Sequence, residues 1–189
     1  MVTILMVIAK HNFRDEEYLI PRELFRRSGY DIITASVEKS ICTGMLGAQV
    51  MPDRSFEDVS VDSIDVVIVC GGSGAPELSK SSHIMSILQE AHHHNKLIAA
   101  ICYGSTVLAK AGILKACKAT TWKDDWAIQE LQKSGAVYTG KDVEVDHHII
   151  TASGPRFAKE FAEEVIKQIS IQPREGTIKS STVAGGAGL

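Results

Sequence analysis

The sequence predicts an α/β protein, a single domain with a mostly parallel central sheet between helices, and three observations carry that prediction. Short, nearly continuous apolar runs recur at Thr3–Ala9, Asp65–Cys70 and Leu97–Ile101. Each is too short for a globular helix and suits a strand buried on both faces. Segments with helical spacing of apolar residues separate these runs, and glycine-bearing turns close them, as strand-to-helix crossings require.

Taken in order, Thr3–Ala9 reads as a central strand. After a polar loop, Glu16–Ser28 places Leu19, Ile20, Leu24 and Phe25 on one helical face, with Gly29 as the stop. Pro21 either sits in the first turns of this helix or kinks it. Tyr30–Ser36 is a second strand, and the strand–helix–strand order predicts a parallel pair with a right-handed crossover. Ile41–Met51, with Gly44 and Gly47, reads as a hairpin or an irregular strand pair. Asp65–Cys70 is the next strand and ends in Gly71-Gly72-Ser73-Gly74; Ser82–Asn95 reads as a surface helix. Leu97–Ile101 runs through Cys102-Tyr103-Gly104 into a helix over Thr106–Ala111 that Gly112 stops. Ala119–Trp122 is expected to be a short strand and Asp124–Ser134 a helix. Val143–Asp146 and Ile149–Thr151 read as a hairpin around His147-His148, and Gly154-Pro155 precedes a helix to about Ile169. The alternation predicts a doubly wound, three-layer flavodoxin-like sandwich over residues 1–172, with ligands beyond the carboxyl ends of the strands. Residues 173–189, with Gly185, Gly186 and Gly188 and few apolar side chains, are expected to form a flexible tail.

Bulk properties narrow the functional classes. A chain of 189 residues buries one sizeable core, and its 44% hydrophobic and 23% charged residues are ordinary for a globular protein. The formal net charge of −3 offers no basic excess for nucleic acid or an anionic membrane. No charged leader precedes the first apolar run and no run approaches the ~18 residues needed to span a bilayer, so a cytoplasmic location is expected. Cys42, Cys70, Cys102 and Cys117 are widely spaced and form no Cys-x-x-Cys pair. That argues against zinc and a dithiol, and the expected compartment argues against a disulfide framework.

One cysteine has a distinctive context. Cys102 lies between a strand end and a helix start, where free amides and the helix dipole favour a thiolate. Gly104 permits the sharp turn, and the N–H of Tyr103 is left free to hold an oxyanion, as at hydrolase elbows; Gly72 is the candidate second donor. His92-His93-His94 falls late in a helix, where consecutive side chains diverge by about 100°, and reads as solvated surface. His147-His148 reads the same way at a hairpin tip. His11, in the first strand–helix loop, either lines the pocket or is a polar loop residue. Gly71–Gly74 lacks the third glycine of a dinucleotide fingerprint and the Lys-Ser/Thr of a P-loop. No metal-ligand spacing is present, so no metal is expected.

Ala99-Ala100-Ile101-Cys102-Tyr103-Gly104 resembles the nucleophile elbow of the ThiJ/PfpI superfamily. Glu17-Tyr18-Leu19-Ile20-Pro21 resembles the family's first-helix segment, which carries a glutamate beside the cysteine, and Val69-Cys70-Gly71-Gly72 resembles its Pro-Gly-Gly oxyanion loop. The likeness runs from about Val2 to Ile169. It implies a carboxyl at Glu17 that shares a proton with Cys102, the Glu pKa raised by burial and the Cys pKa lowered by the elbow. Two departures stand out: where family members carry histidine, directly after the cysteine or in the strand after the elbow helix, this chain has Tyr103 and Trp122. Trp122 is therefore a candidate pocket-lining residue, and Cys70 stands where proline is common.

The resemblance implies a cofactor-independent glyoxalase III or deglycase-type enzyme acting on methylglyoxal, related carbonyls or glycated proteins. Its chemistry needs a thiolate and a carboxyl but no imidazole. The alternatives are a PfpI-type cysteine peptidase, which the missing histidine disfavours, and a redox sensor or chaperone that works through Cys102 oxidation. The family further implies a homo-oligomer, with the first helix at a common dimer contact.

Overall fold

The computed structural model describes residues 1–171; the expected tail at 173–189 lies outside the described residues. In chain order the elements are β1 Thr3–Val7, β2 His11–Phe13, α1 Asp15–Arg27, β3 Asp31–Ser36, β4 Cys42–Gly44, β5 Gln49–Val50 and β6 Arg54–Ser55. They continue with β7 Val66–Val69, α2 Ser82–His93, β8 Leu97–Ile101, α3 Gly104–Lys110, β9 Lys118–Ala119 and α4 Asp125–Lys133. The last are β10 Val137–Tyr138, β11 Val143–Asp146, β12 Ile149–Ala152 and α5 Ala158–Ile171.

Seven strands form the central sheet in the order β11-β12-β8-β7-β1-β3-β6. All neighbours pair in parallel except β11, which runs antiparallel to β12 at one edge. The expected three-layer sandwich with a mostly parallel sheet is thus observed. Its strands divide their side chains between two cores because successive residues point to opposite faces. Leu5, Val7, Val67, Val69, Ile98 and Ala100 pack with Ile84 and Leu88 of α2 and Val107 and Leu108 of α3. Ile4, Met6, Ile68, Ala99 and Ile101 pack with Phe25 of α1 and Phe161 and Val165 of α5. Each large side chain so buried stabilises the fold by roughly 1.5–3 kcal/mol.

Local expectations differ from the structure in instructive ways. The loop after β1 contains a short strand, β2, held in parallel to β4, and β4 pairs with β5 as the hairpin expected in Ile41–Met51. The strand expected at Ala119–Trp122 is only Lys118–Ala119, paired with β10. Trp122 falls outside it, because Thr120 and Thr121 turn their hydrogen bonds to Thr151, Lys141 and Cys102 instead of a ladder. The helix expected from Thr106 already starts at Gly104, so the elbow leads directly into α3. α1 continues through Pro21 without breaking.

Candidate active site

The carboxyl ends of β8, β7 and β1 are neighbours in the sheet, so the loops after them meet at one edge. The loop after β7 is pressed against the loop after β1: Gly71 accepts a hydrogen bond from the Arg14 N–H at 3.0 Å, and Gly74 donates to the Asn12 carbonyl at 3.1 Å. Gly72 has φ +100°, and a Cβ there would fall on backbone atoms of Asn12 and Arg14. No other residue type fits both constraints.

Cys102 is the first residue after β8 and carries φ +59°, a left-handed conformation that a side-chain-bearing residue adopts at a cost of order 1–3 kcal/mol. The neighbouring segments hold it there. Its N–H donates to Ala152 of β12 at 2.8 Å, while its carbonyl accepts from Ser105 N–H at 3.2 Å and from Thr121 Oγ1 at 3.0 Å. The positive φ is the elbow: it turns the chain from strand into α3 and presents the thiol to the backbone N–H groups of Gly72 and Tyr103, both of which act on it as donors.

Glu17 comes from the first turn of α1 and is fully buried. Its Oε2 accepts the Gly71 N–H at 2.9 Å. A methyl built on Gly71 would lie 2.5 Å from that oxygen and 2.6 Å from Cys102 Cβ, so carboxyl, glycine and cysteine are in mutual contact. Oε1 is buried without a hydrogen-bond partner. Burial pushes the Glu17 carboxyl up to about 8, against the opposing pull of the Cys102 thiol, the Gly71 N–H and the Arg14 cation. The direction for Cys102 is a correction. Burial pushes the thiol up, charge on Glu17 adds to this, and the N–H groups of Gly72 and Tyr103 offset only part of it. The elbow was expected to lower this pKa, but the dipole of a seven-residue α3 is short and Cys102 is only 5% exposed. The pair therefore titrates as a unit: both protons are held below about pH 8, and one shared proton remains above it.

A second layer around Glu17 is not apparent from sequence. Pro21 has no N–H to give the carbonyl four residues earlier, which is that of Glu17. The fully buried Cys70 fills the gap, donating its S–H to Glu17 O at 3.6 Å. Arg14, which reasoning from sequence missed, lies in the turn before α1; its guanidinium is paired with Glu16 at 2.8 Å and acts electrostatically on both Glu17 and Cys102. Its only sequence signal was a lone cation just ahead of the glutamate.

The remaining candidates separate. Tyr103 is the residue after Cys102; its hydroxyl donates to the Asp124 carboxylate, and its ring packs on Trp126 with centroids 5.7 Å apart. The other Asp124 oxygen caps α4 through the Ala127 N–H at 2.8 Å. Trp122 lies against Gly154 and is 41% exposed beside the elbow, since its neighbour Thr121 binds the Cys102 carbonyl. His11 lines a cleft of about 490 Å³ together with Lys10, Asn12, Ser73 and Lys80, on the far side of the Gly71–Gly74 loop; neither Cys102 nor Glu17 borders it. Among the described residues no three side chains of metal-ligating type converge.

The carboxyl edge of the parallel sheet thus carries a strained cysteine elbow, facing a buried carboxyl and two backbone N–H donors. Residues 2–168 match the DJ-1/PfpI family, and the chain belongs to it. It is 40% identical over 167 residues to the uncharacterized protein MJ0967 of Methanocaldococcus jannaschii, covering 88% of this chain and 82% of that one. It is 25% identical to deglycase PfpI of Pyrococcus furiosus, covering 86% and 97%. The glutathione-independent glyoxalase DJR-1.2 of Caenorhabditis elegans is 27% identical, with 87% of each chain covered. The crystal structure of a ThiJ/PfpI domain protein from Brachyspira murdochii superposes with a TM-score of 0.86 at 27% identity, covering 90% of this chain and 98% of that one. These names support a deglycase or glyoxalase type of role for the family to which the chain belongs. Among the described residues no helix is long and apolar enough to cross a membrane.

Proposed function

We propose that the protein converts small α-oxoaldehydes such as methylglyoxal, or their early adducts on proteins, into hydroxy acids, without a cofactor. The observation that carries this reading is the unpartnered Glu17 Oε1, buried against the Cys102 elbow with no imidazole in the set. An orphaned carboxyl oxygen at a nucleophile is suited to moving a proton on a bound substrate. Cys102 sulfur bonds to the aldehyde carbon, and the oxygen that becomes an oxyanion accepts from the N–H groups of Gly72 and Tyr103. Glu17 gives the proton it shares with Cys102 to the neighbouring ketone oxygen, then takes the proton from the sulfur-bearing carbon and returns it to the carbon of that former ketone. The first carbon is thereby oxidised to a thioester and the second reduced to an alcohol, so no external oxidant or reductant enters. Water cleaves the thioester, releasing the hydroxy acid and the thiol.

The same reading includes a homo-oligomer through α1, supported by Leu19 and Ile20, large apolar side chains of that helix that stand exposed. Light scattering on the purified chain tests it, and a monomer at micromolar concentration would refute it. For the activity, wild type and Cys102→Ser are incubated with methylglyoxal in buffer free of amines and thiols, lactate is assayed, and a fluorogenic casein digest is run in parallel. Cys102-dependent lactate without proteolysis is the expected result. Proteolysis without lactate, or no Cys102-dependent turnover at all, overturns the proposal.

A further inference from the structure

The opposite edge of the sheet carries a juxtaposition that the Cys102 chemistry does not use. Five of the seven histidines cluster there: His92, His93 and His94 at the end of α2, and His147 and His148 in the turn between β11 and β12. β12 starts beside Ile98 at the amino end of β8, so this turn and the Cys102 elbow lie at opposite ends of the same strands. Consecutive histidines on a helix diverge and cannot converge on one ion. Residues from two different elements can, and two do: His148 Nε2 and His92 Nδ1 are 3.0 Å apart, with ring centroids at 4.9 Å.

Both residues are half-buried and held by their backbones. The His148 carbonyl accepts the Ile98 N–H at 2.9 Å, and the His92 carbonyl accepts the Asn95 N–H at 3.0 Å. The two imidazoles are thus presented from a helix end and a sheet edge that are already fixed, the arrangement a site on rigid elements needs. Two nitrogens bound at about 2.0–2.1 Å to one ion lie about 2.8–3.4 Å apart, from square to tetrahedral geometry. The observed 3.0 Å separation falls inside that window. In the free protein one nitrogen donates and the other accepts; an ion bound to both lies off the line joining them, so the donating ring moves its proton to its outward nitrogen and the two rings turn to aim their lone pairs at the ion.

We propose that His92 and His148 form a two-imidazole site for a divalent transition-metal ion, bridging α2 to the β11–β12 turn, with water in the remaining positions. Imidazole donors select borderline ions over Mg²⁺ or Ca²⁺, and Cu²⁺ should bind more tightly than Zn²⁺. His147, whose ring is paired with Asp146 at 2.7 Å, and His93 lie outside the pair.

The test titrates the full chain with Cu²⁺ and Zn²⁺, wild type and Cys102→Ser side by side to separate binding at the thiol. One Cu²⁺ should bind with two-nitrogen coupling in its electron paramagnetic resonance spectrum, equally in both proteins. His92→Ala and His148→Ala should each weaken binding at least tenfold, whereas His94→Ala should leave it unchanged. As a readout that needs no variant, Zn²⁺ should shift the ring C–H resonances of two histidines together, and assignment should identify them as His92 and His148. Undiminished affinity in His148→Ala, binding that disappears with Cys102→Ser, or Zn²⁺ shifts confined to His93, His94 and His147 would overturn the site.

Discussion

Cys70 and Cys102 follow adjacent parallel strands, β7 and β8, both are buried, and both touch Glu17, yet they are chemically different residues. Cys70 faces the backbone carbonyl of Glu17 and donates to it. Burial and the charge of Glu17 push its thiol well up, and no amide opposes them. Cys102 faces the carboxyl of the same residue, stands at φ +59°, and has two N–H groups at its sulfur. Burial alone therefore does not separate a packing cysteine from a nucleophile. The structural difference is the left-handed elbow, which turns the Cys102 thiol toward the N–H of Tyr103 and the N–H of Gly72 from the neighbouring loop.

The largest expected effect breaks the comparison outright. Cys102→Ala should lower methylglyoxal turnover by about 10³-fold or more with an unchanged circular dichroism spectrum, while Cys70→Ala should retain most turnover. Equal losses in the two variants would mean that the elbow confers nothing and that the mechanism is wrong.

Next is Glu17→Gln, expected to cost roughly 10²–10⁴-fold in turnover through loss of the general acid and base. The raised carboxyl pKa adds a pH signature. Below about 8 both members of the pair hold protons and no base is available, so kcat/KM and the rate of Cys102 alkylation should rise with pH through about 8. Stability runs the other way: a carboxyl raised from 4.5 to about 8 binds its proton more tightly when folded, so stability falls as pH climbs across that interval. The slope is at most about 1.4 kcal/mol per pH unit. Glu17→Gln should flatten both profiles; an alkylation rate that rises near pH 8 in the variant as well would assign the titration to another group.

A smaller effect sharpens the role of Cys70. Removing its thiol leaves the Glu17 carbonyl buried and unpaired, because Pro21 cannot reach back to it. That loss is worth about 1–3 kcal/mol in chemical denaturation. Pro21→Ala restores a helical N–H donor, so it should destabilise less in the Cys70→Ala background than in wild type. Strict additivity of the two changes would show that the thiol and the proline are not linked through this carbonyl.

The fold was legible because buried parallel strands write themselves as apolar runs between turns, as at Thr3–Ala9 and Leu97–Ile101, and the topology then brings three loops to one edge. Glu17 beside Cys102 was legible only with the family resemblance, since a first-turn glutamate is ordinarily solvated. The rest depends on contacts between residues far apart in sequence. Cys70 under Pro21, Arg14 near the thiol and His148 against His92 have no local pattern, and the reversal at Cys102 came from weighing burial too lightly against a short helix dipole. Trp122 leaves its expected strand because the Thr120 N–H goes to the Thr151 hydroxyl and the Thr121 hydroxyl to the Cys102 carbonyl.

The smallest predicted effect concerns Tyr103, the residue that follows Cys102. The Tyr103 hydroxyl is committed to Asp124, and burial together with that carboxylate pushes it up to about 12, so it stays protonated across the working pH range. Its contribution to the site is the backbone N–H at the Cys102 sulfur, which phenylalanine supplies equally well. Asp124 keeps its own cap on α4 through Ala127 when the hydroxyl is gone. Tyr103→Phe should therefore lower stability by about 1 kcal/mol and change kcat/KM by less than about threefold, under 0.7 kcal/mol in barrier. A collapse of turnover at unchanged melting temperature would instead make the hydroxyl a participant in proton transfer, with Asp124 as its orienting partner.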